Sequence, residues 1–146
     1  MINDIYNKDV LRLAADISRI DPMEAPQVRV HVRAPLCGST LEIELKVADG
    51  RIADYAQNIK ACALGQASAS VMARAAIGKD AAEIERVRAI VEKMLKEGGP
   101  APTGEWAGLI ALVPAKDARA RHGAILLPFD GVLKALREAK SAAPAA

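Results

Sequence analysis

The stretch Thr40-Leu41-Glu42-Ile43-Glu44-Leu45-Lys46-Val47-Ala48-Asp49-Gly50-Arg51-Ile52 decides the fold. Leu41, Ile43, Leu45 and Val47 alternate with polar residues, the period of two that puts apolar side chains on one face of a strand. Asp49-Gly50 is a two-residue hairpin signal, because both residues tolerate the positive φ that such a turn demands. A second strand must therefore return antiparallel, and residues 51–60 supply it through Ile52, Tyr55 and Ile59. Upstream, Val28, Val30 and Val32 alternate with Arg29, His31 and Arg33, and Ala34-Pro35-Leu36-Cys37-Gly38-Ser39 then interrupts the pattern. Strand, loop, strand, tight turn and strand make an antiparallel meander. It is expected to bury the face carrying Val30, Val32, Ile43 and Leu45, with His31 solvated on the other.

Helical spacing governs the rest of the chain. Residues 2–19 repeat Ile2, Ile5, Tyr6, Val10, Leu13 and Ile17 near the helical period, until Asp21-Pro22 and Ala25-Pro26 break it. Residues 63–77 turn Leu64, Ala67, Val71 and Ala75 inward, and Gly78 ends that helix. Residues 80–97 do the same with Ile84, Val87, Val91 and Leu95, opened by Asp80 as N-cap with Glu83 at capping-box spacing. Residues 105–113 predict a short helix holding Trp106, and residues 123–140 a final helix with Pro128 near its first turns. Strands first and helices afterwards predict an α+β fold: a three-stranded antiparallel meander packed against about five helices. Residues 1–140 read as one domain and 141–146 as a low-complexity, disordered tail.

The chain has 146 residues, 51% of them hydrophobic but only 3% aromatic, so aliphatic side chains and Ala must build the core. Twenty basic residues against 18 acidic leave a net charge of +2, which gives no electrostatic case for nucleic acid. Met1-Ile2-Asn3-Asp4 lacks the basic and apolar segments of a secretory signal, and no apolar run nears the ~20 residues that span a bilayer. The expected setting is a soluble cytoplasmic protein without membrane partners. Two cysteines in such a setting are thiols for metal or chemistry rather than a disulfide.

Three residues stand at element boundaries: Cys37 in the loop between two strands, Cys62 where the third strand gives way to a helix, and His122 before the last helix. A helix N-terminus favours an anion, which suits Cys62 as a thiolate. Two thiolates and an imidazole are soft to borderline donors for zinc, iron or an iron–sulfur cluster, and three ligands leave a position open for exchange. Ser39 is a neighbouring residue with a poorer donor. A Cys–His enzyme would need an orienting acid; Asp54 and Asp130 are the acidic candidates, and neither carries a motif. The sequence is not read as an enzyme.

The order of these residues resembles the NifU/IscU family of iron–sulfur cluster scaffolds, including its SufU-like members. Leu36-Cys37-Gly38-Ser39-Thr40-Leu41 resembles the family's Cys-Gly-Asp loop, and Val47 to Asp54 its hairpin. Ala61-Cys62-Ala63-Leu64-Gly65-Gln66-Ala67-Ser68-Ala69-Ser70-Val71-Met72 resembles its second cysteine and small-residue helix, and Ile77-Gly78-Lys79 the end of that helix. The resemblance covers nearly the whole chain and implies the SufE/NifU-like fold. It makes Cys37 and Cys62 the first two ligands.

There are three departures. The family's loop aspartate is Ser39. Its third cysteine, the residue that receives sulfur from a cysteine desulfurase, is missing. The Asn-Pro-Arg-Asn stretch after the first helix is replaced by Ile20-Asp21-Pro22-Met23. Two alignments are open at the third ligand. Either His122 takes the cysteine's place, or it matches the histidine that precedes the cysteine in some members and Gly123 stands at the cysteine's position.

The resemblance thus implies a scaffold or carrier that binds an iron–sulfur cluster of the 2Fe–2S type, or iron or zinc, through Cys37, Cys62 and His122. Its implied partners are a cysteine desulfurase, other assembly proteins and acceptor apoproteins. The alternative is a degenerate member that serves the assembly machinery as an interaction module and holds no cluster.

Overall fold

The computed structural model describes residues 5–141. Its elements run α1 (Lys8–Ala15), β1 (Val28–Arg33), β2 (Thr40–Ala48), β3 (Arg51–Lys60), α2 (Ala63–Ala75), α3 (Ala81–Glu97), 3-10 turns over Gly104–Asp117 and Arg119–Arg121, and α4 (His122–Ser141). The strands form one antiparallel sheet in the order β1-β2-β3. Val30 pairs with Ile43, Leu45 with Tyr55, and Thr40 with both Arg33 and Lys60. Asp49 and Gly50 hold φ of 54° and 77°, the two positive values of the expected hairpin turn. A register shift between Lys46 and Val47 brings Ile52 opposite Val47.

Leu41, Ile43 and Leu45 are fully buried, with Val28, Val30, Ile52 and Tyr55 beside them, while Val32 at the strand's end is only half-buried. His31 is exposed on the outer face. α4 crosses the inner face of β1 and β2. Gly131 permits that approach, because a Cβ there would lie 2.7 Å from Ile43 Cδ1 and 3.1 Å from Val32 Cγ2. Trp106 and Phe129 close the core between the 3-10 turns and α4, with ring centroids 5.8 Å apart. Among the described residues no helix is long and apolar enough to cross a membrane.

Polar groups inside this core are satisfied. Gln57 shares the inward face of β3 with Tyr55; it accepts from the Tyr55 hydroxyl at 2.9 Å and donates to the Ala69 carbonyl at 3.1 Å. Ser68 donates to the Ile125 carbonyl at 2.6 Å, binding α2 to α4. Among the described residues no buried side-chain nitrogen or oxygen lacks a partner.

Several boundaries differ from the pattern-based expectation. The first helix is shorter than 2–19, of which residues 2–4 lie outside the described residues. Asn7 caps α1 by accepting from the Val10 N–H at 2.9 Å, and the chain leaves the helix at Asp16. α2 ends two residues before 77, because the Gly78 N–H turns to the Ile52 carbonyl. Asp80 caps α3 as expected, but the Glu83 carboxylate accepts from Arg86 and from Trp106 Nε1 instead of closing the capping box. The short helix expected at 105–113 is a longer run of 3-10 turns that admits Pro114. His122 is the first residue of α4 rather than its prelude, and of the tail only Ser141 is described, as the helix's last residue.

Candidate metal or cluster site

Sheet register places the two cysteines together. Thr40 opens β2 opposite Lys60, which ends β3. Cys37 lies three residues before Thr40 and Cys62 two residues after Lys60, so both stand beyond the same end of the β2–β3 ladder. The Cys37 loop is a tight bend: the Gly38 N–H donates to the Ala34 carbonyl at 2.9 Å, and the Ala34 N–H to the Ser39 carbonyl at 2.8 Å. Gly38 takes φ of 71° there, a value natural to glycine. Cys37 is exposed, and Leu36 beside it is 81% exposed.

Cys62 is the N-cap of α2 and makes no side-chain capping bond. It is half-buried against the core. Its thiol thus stands at the positive end of a 13-residue helix. Two close approaches hold the start of α4, one to this helix end and one to the residue that follows β1. A Cβ at Gly65 would sit 3.3 Å from both Cβ and O of Ala124, and one at Gly123 would have Ala34 Cβ as its neighbour at 3.5 Å.

Cys37 Sγ and Ser39 Oγ are 3.2 Å apart, and Ser39 is itself buried. Desolvation raises the Cys37 thiol. Hydrogen bonds from the Ser39 side chain and backbone and from Cys37's own backbone, with the charge of Arg121, outweigh it and leave the thiol below its ordinary value. Ser39 therefore supports the thiolate by donating to it, although it brings no carboxylate of its own.

His122 is placed differently. Its ring is buried, with Nε2 2.9 Å from the Ala115 carbonyl oxygen. A carbonyl only accepts, so Nε2 carries the proton and Nδ1 is the one nitrogen left for a ligand bond. Among the described residues no three His, Cys, Asp or Glu side chains are grouped to hold a metal ion. The structure thus brings Cys37, Ser39 and Cys62 to one end of the sheet and turns the His122 ring to the 3-10 segment. Asp130 is paired with Arg88 at 2.6 Å and Asp54 with Arg19 at 3.6 Å, so neither orients His122 as a base.

Arg121 and Tyr6 join the site without any motif to announce them. Arg121 Nη1 donates to the Tyr6 hydroxyl, and the guanidinium carbon stands 5.5 Å from the Tyr6 ring centroid. Arg33 reaches the loop from β1, its Nη2 3.9 Å from where a Gly38 Cβ would be. Arg33 is near Cys37 along the chain, whereas Arg121 is brought to bear on it only by the fold.

Two free thiols, one exposed and one at a helix N-terminus, thus stand beyond one end of a small α+β sheet. The chain belongs to the NifU-like N terminal domain family, which matches residues 5–109. It is similar to the N-terminal part of a nitrogen-fixing NifU-like protein from Brucella abortus. The two share 45% identity over 97% of this chain and 99% of that one, with a TM-score of 0.91. A protein from Fervidobacterium islandicum AW-1, described as an iron–sulfur cluster assembly scaffold for the SUF system, shares the fold at 22% identity. It covers 92% of this chain and 98% of its own, with a TM-score of 0.80. No curated protein matches the chain significantly.

Proposed function

We propose that the protein is a scaffold or carrier in iron–sulfur cluster assembly, acting as a binder rather than an enzyme, with Cys37 and Cys62 as its protein ligands. The observation that carries this reading is the placement of both thiols beyond one end of the β2–β3 ladder, with Cys37 exposed and its thiol lowered. Membership of the NifU-like family and the scaffold description of the Fervidobacterium protein support it. Thiolates suit an iron–sulfur cluster, iron or zinc, and the cargo is of the 2Fe–2S type. His122 is a ligand only through Nδ1, and its bond to Ala115 favours the alignment in which Gly123 stands at the third-cysteine position. A cysteine desulfurase and acceptor apoproteins are the partners this role requires, in the cytoplasm. Sulfur delivered as persulfide must go to Cys37 or Cys62, since the chain holds no other thiol.

Anaerobic reconstitution with iron and sulfide tests the reading. Visible absorption and bound iron are expected in the native sequence and lost in Cys62→Ala. A second reading, an interaction module that holds no cluster, is favoured by the lack of any three-ligand group among the described residues. No bound iron under any condition, with the desulfurase still bound, selects it.

A further inference from the structure

We propose that the free edge of β1 docks an extended segment of a partner protein, which adds to the sheet as a fourth strand and carries acidic residues at alternate positions.

The first argument is which backbone groups of β1 are already used. β1 is the outer strand in the order β1-β2-β3. Successive residues of such a strand point their backbone groups alternately toward the neighbouring strand and away from it. The Ala34 N–H donates to the Ser39 carbonyl, so in the same register Val28, Val30 and Val32 direct theirs to β2. Arg29, His31 and Arg33 therefore aim their N–H and carbonyl groups off the sheet. Lys134 shows the same phase, since its Nζ reaches the His31 carbonyl from α4 at 3.3 Å. Among the described residues no bond from beyond the sheet reaches the N–H of Arg29, His31 or Arg33. The far edge of the sheet differs: there the Gln57 N–H of β3 donates to the Arg19 carbonyl at 2.9 Å.

The second argument is apolar surface left at that edge. Val32 lies opposite the fully buried Leu41 yet is itself only half-buried. An added strand would cover it with the side chains that share the inner face, every second one along the strand. β1 also runs directly into the Cys37 loop, where Leu36 is 81% exposed, so a segment held on β1 lies along the approach to the exposed thiol.

The third argument is charge, which selects the occupant. The outward side chains of β1 are Arg29, His31 and Arg33, all exposed. Arg29 is paired with Glu44 at 2.6 Å, whereas among the described residues Arg33 and Lys134 are in no ion pair. A second copy of this chain paired edge to edge would set Arg and His opposite Arg and His, an arrangement that like charges disfavour. A segment with Asp or Glu at alternate positions meets Arg33 instead. It also meets Lys134, which exchanges one exposed bond to a carbonyl for a carboxylate. In strand addition the main-chain bonds supply affinity and the alternate side chains supply selection.

The test uses the full chain without iron, so its outcome is independent of the carrier reading. The probes are two blocked nine-residue peptides, one alternating Glu and Val and the other Lys and Val. Amide hydrogen exchange followed by NMR should be fast at Arg29, His31 and Arg33 in the free protein and slow at Val28, Val30 and Val32. The acidic peptide should slow the first three by about tenfold or more. The basic peptide should bind at least about tenfold more weakly. Arg33→Gln with Lys134→Gln, checked for folding by circular dichroism, should weaken the acidic peptide about three- to tenfold, the effect of two partly exposed ion pairs. Methylating the acidic peptide on the backbone nitrogens that would face β1 should abolish binding. Unchanged exchange at Arg29, His31 and Arg33 with the acidic peptide at millimolar concentration overturns the proposal. So does equal binding of the two peptides, or a dimer of the native chain protected at the same three amides without peptide.

Discussion

Gly65 on α2 approaches Ala124 on α4 so closely that a methyl group at 65 would meet both the Cβ and the carbonyl oxygen of Ala124 at 3.3 Å, and Ala61 Cβ at 2.8 Å. This contact joins the helix end that carries Cys62 to the helix start that carries His122 and Gly123. It fits a helix whose buried residues include Gly65, Ala67, Ser68, Ala69, Ala73 and Ala75 beside Leu64, Val71 and Met72: small side chains let two backbones come together.

Gly65→Ala should therefore destabilise the protein although alanine is the better helix former. The helix gains about 1 kcal/mol from the exchange, whereas overpacking against rigid backbone costs about 1–3 kcal/mol. Urea unfolding should give a lower midpoint. Reconstituted Gly65→Ala should also retain less iron than the native sequence, because the spacing between Cys62 and α4 widens.

Ser68→Ala probes the same interface by another route. The Ser68 hydroxyl is fully buried and its one strong bond is to the Ile125 carbonyl, at 2.6 Å. Alanine keeps the packing and loses that bond, for a cost of about 1 kcal/mol in denaturant unfolding. Ser68→Val adds bulk as well and should cost more.

The Cys37 thiol should ionise more readily than a free cysteine. In a Cys62→Ala background, the pH midpoint of iodoacetamide alkylation is expected below that of a model thiol, since only thiolate reacts. Ser39→Ala removes the side-chain hydrogen bond and should move the midpoint up, slowing alkylation at neutral pH. An unchanged midpoint would mean that Ser39 does not support the thiolate.

Acid stability should depend on Glu44. The carboxylate accepts from the Met23 N–H at 2.9 Å and from Arg29 at 2.6 Å. The Met23 bond, opposed by desolvation and reinforced by Arg29, holds it below the ordinary carboxylate value. A depressed folded value means that its stabilisation is present above the ordinary range and disappears as pH falls through the folded value. Glu44→Gln should cost roughly 1 kcal/mol at pH 7. The difference from the native sequence should shrink as pH falls below about 4.

Much of the fold was readable along the chain. The alternation from Leu41 to Val47, the Asp49-Gly50 turn and the Asp80 cap are local, and each is found where the pattern places it. The first helix was overextended because Ile2, Ile5 and Tyr6 keep helical spacing across Asn7, where a side-chain oxygen takes a backbone donor and sets the start of α1. The inward turn of Gln57 was not readable, since a polar residue at an inward strand position is tolerated only when partners such as Tyr55 and Ala69 arrive from elsewhere.

By itself the sequence determined the meander, the two thiols at element boundaries, and the family. These follow from side-chain period, turn chemistry and motif order, which act between near neighbours. Only the tertiary structure decided the surroundings of His122, Gly123 and Arg121. The His122 ring turns to Ala115, Gly123 faces Ala34, and Arg121 meets Tyr6 from a position 115 residues away. The direction of a side chain at a helix start depends on what the packed helices and sheet leave room for. That is set by contacts such as Gly65 against Ala124 and Gly131 against Ile43, which no spacing along the chain records.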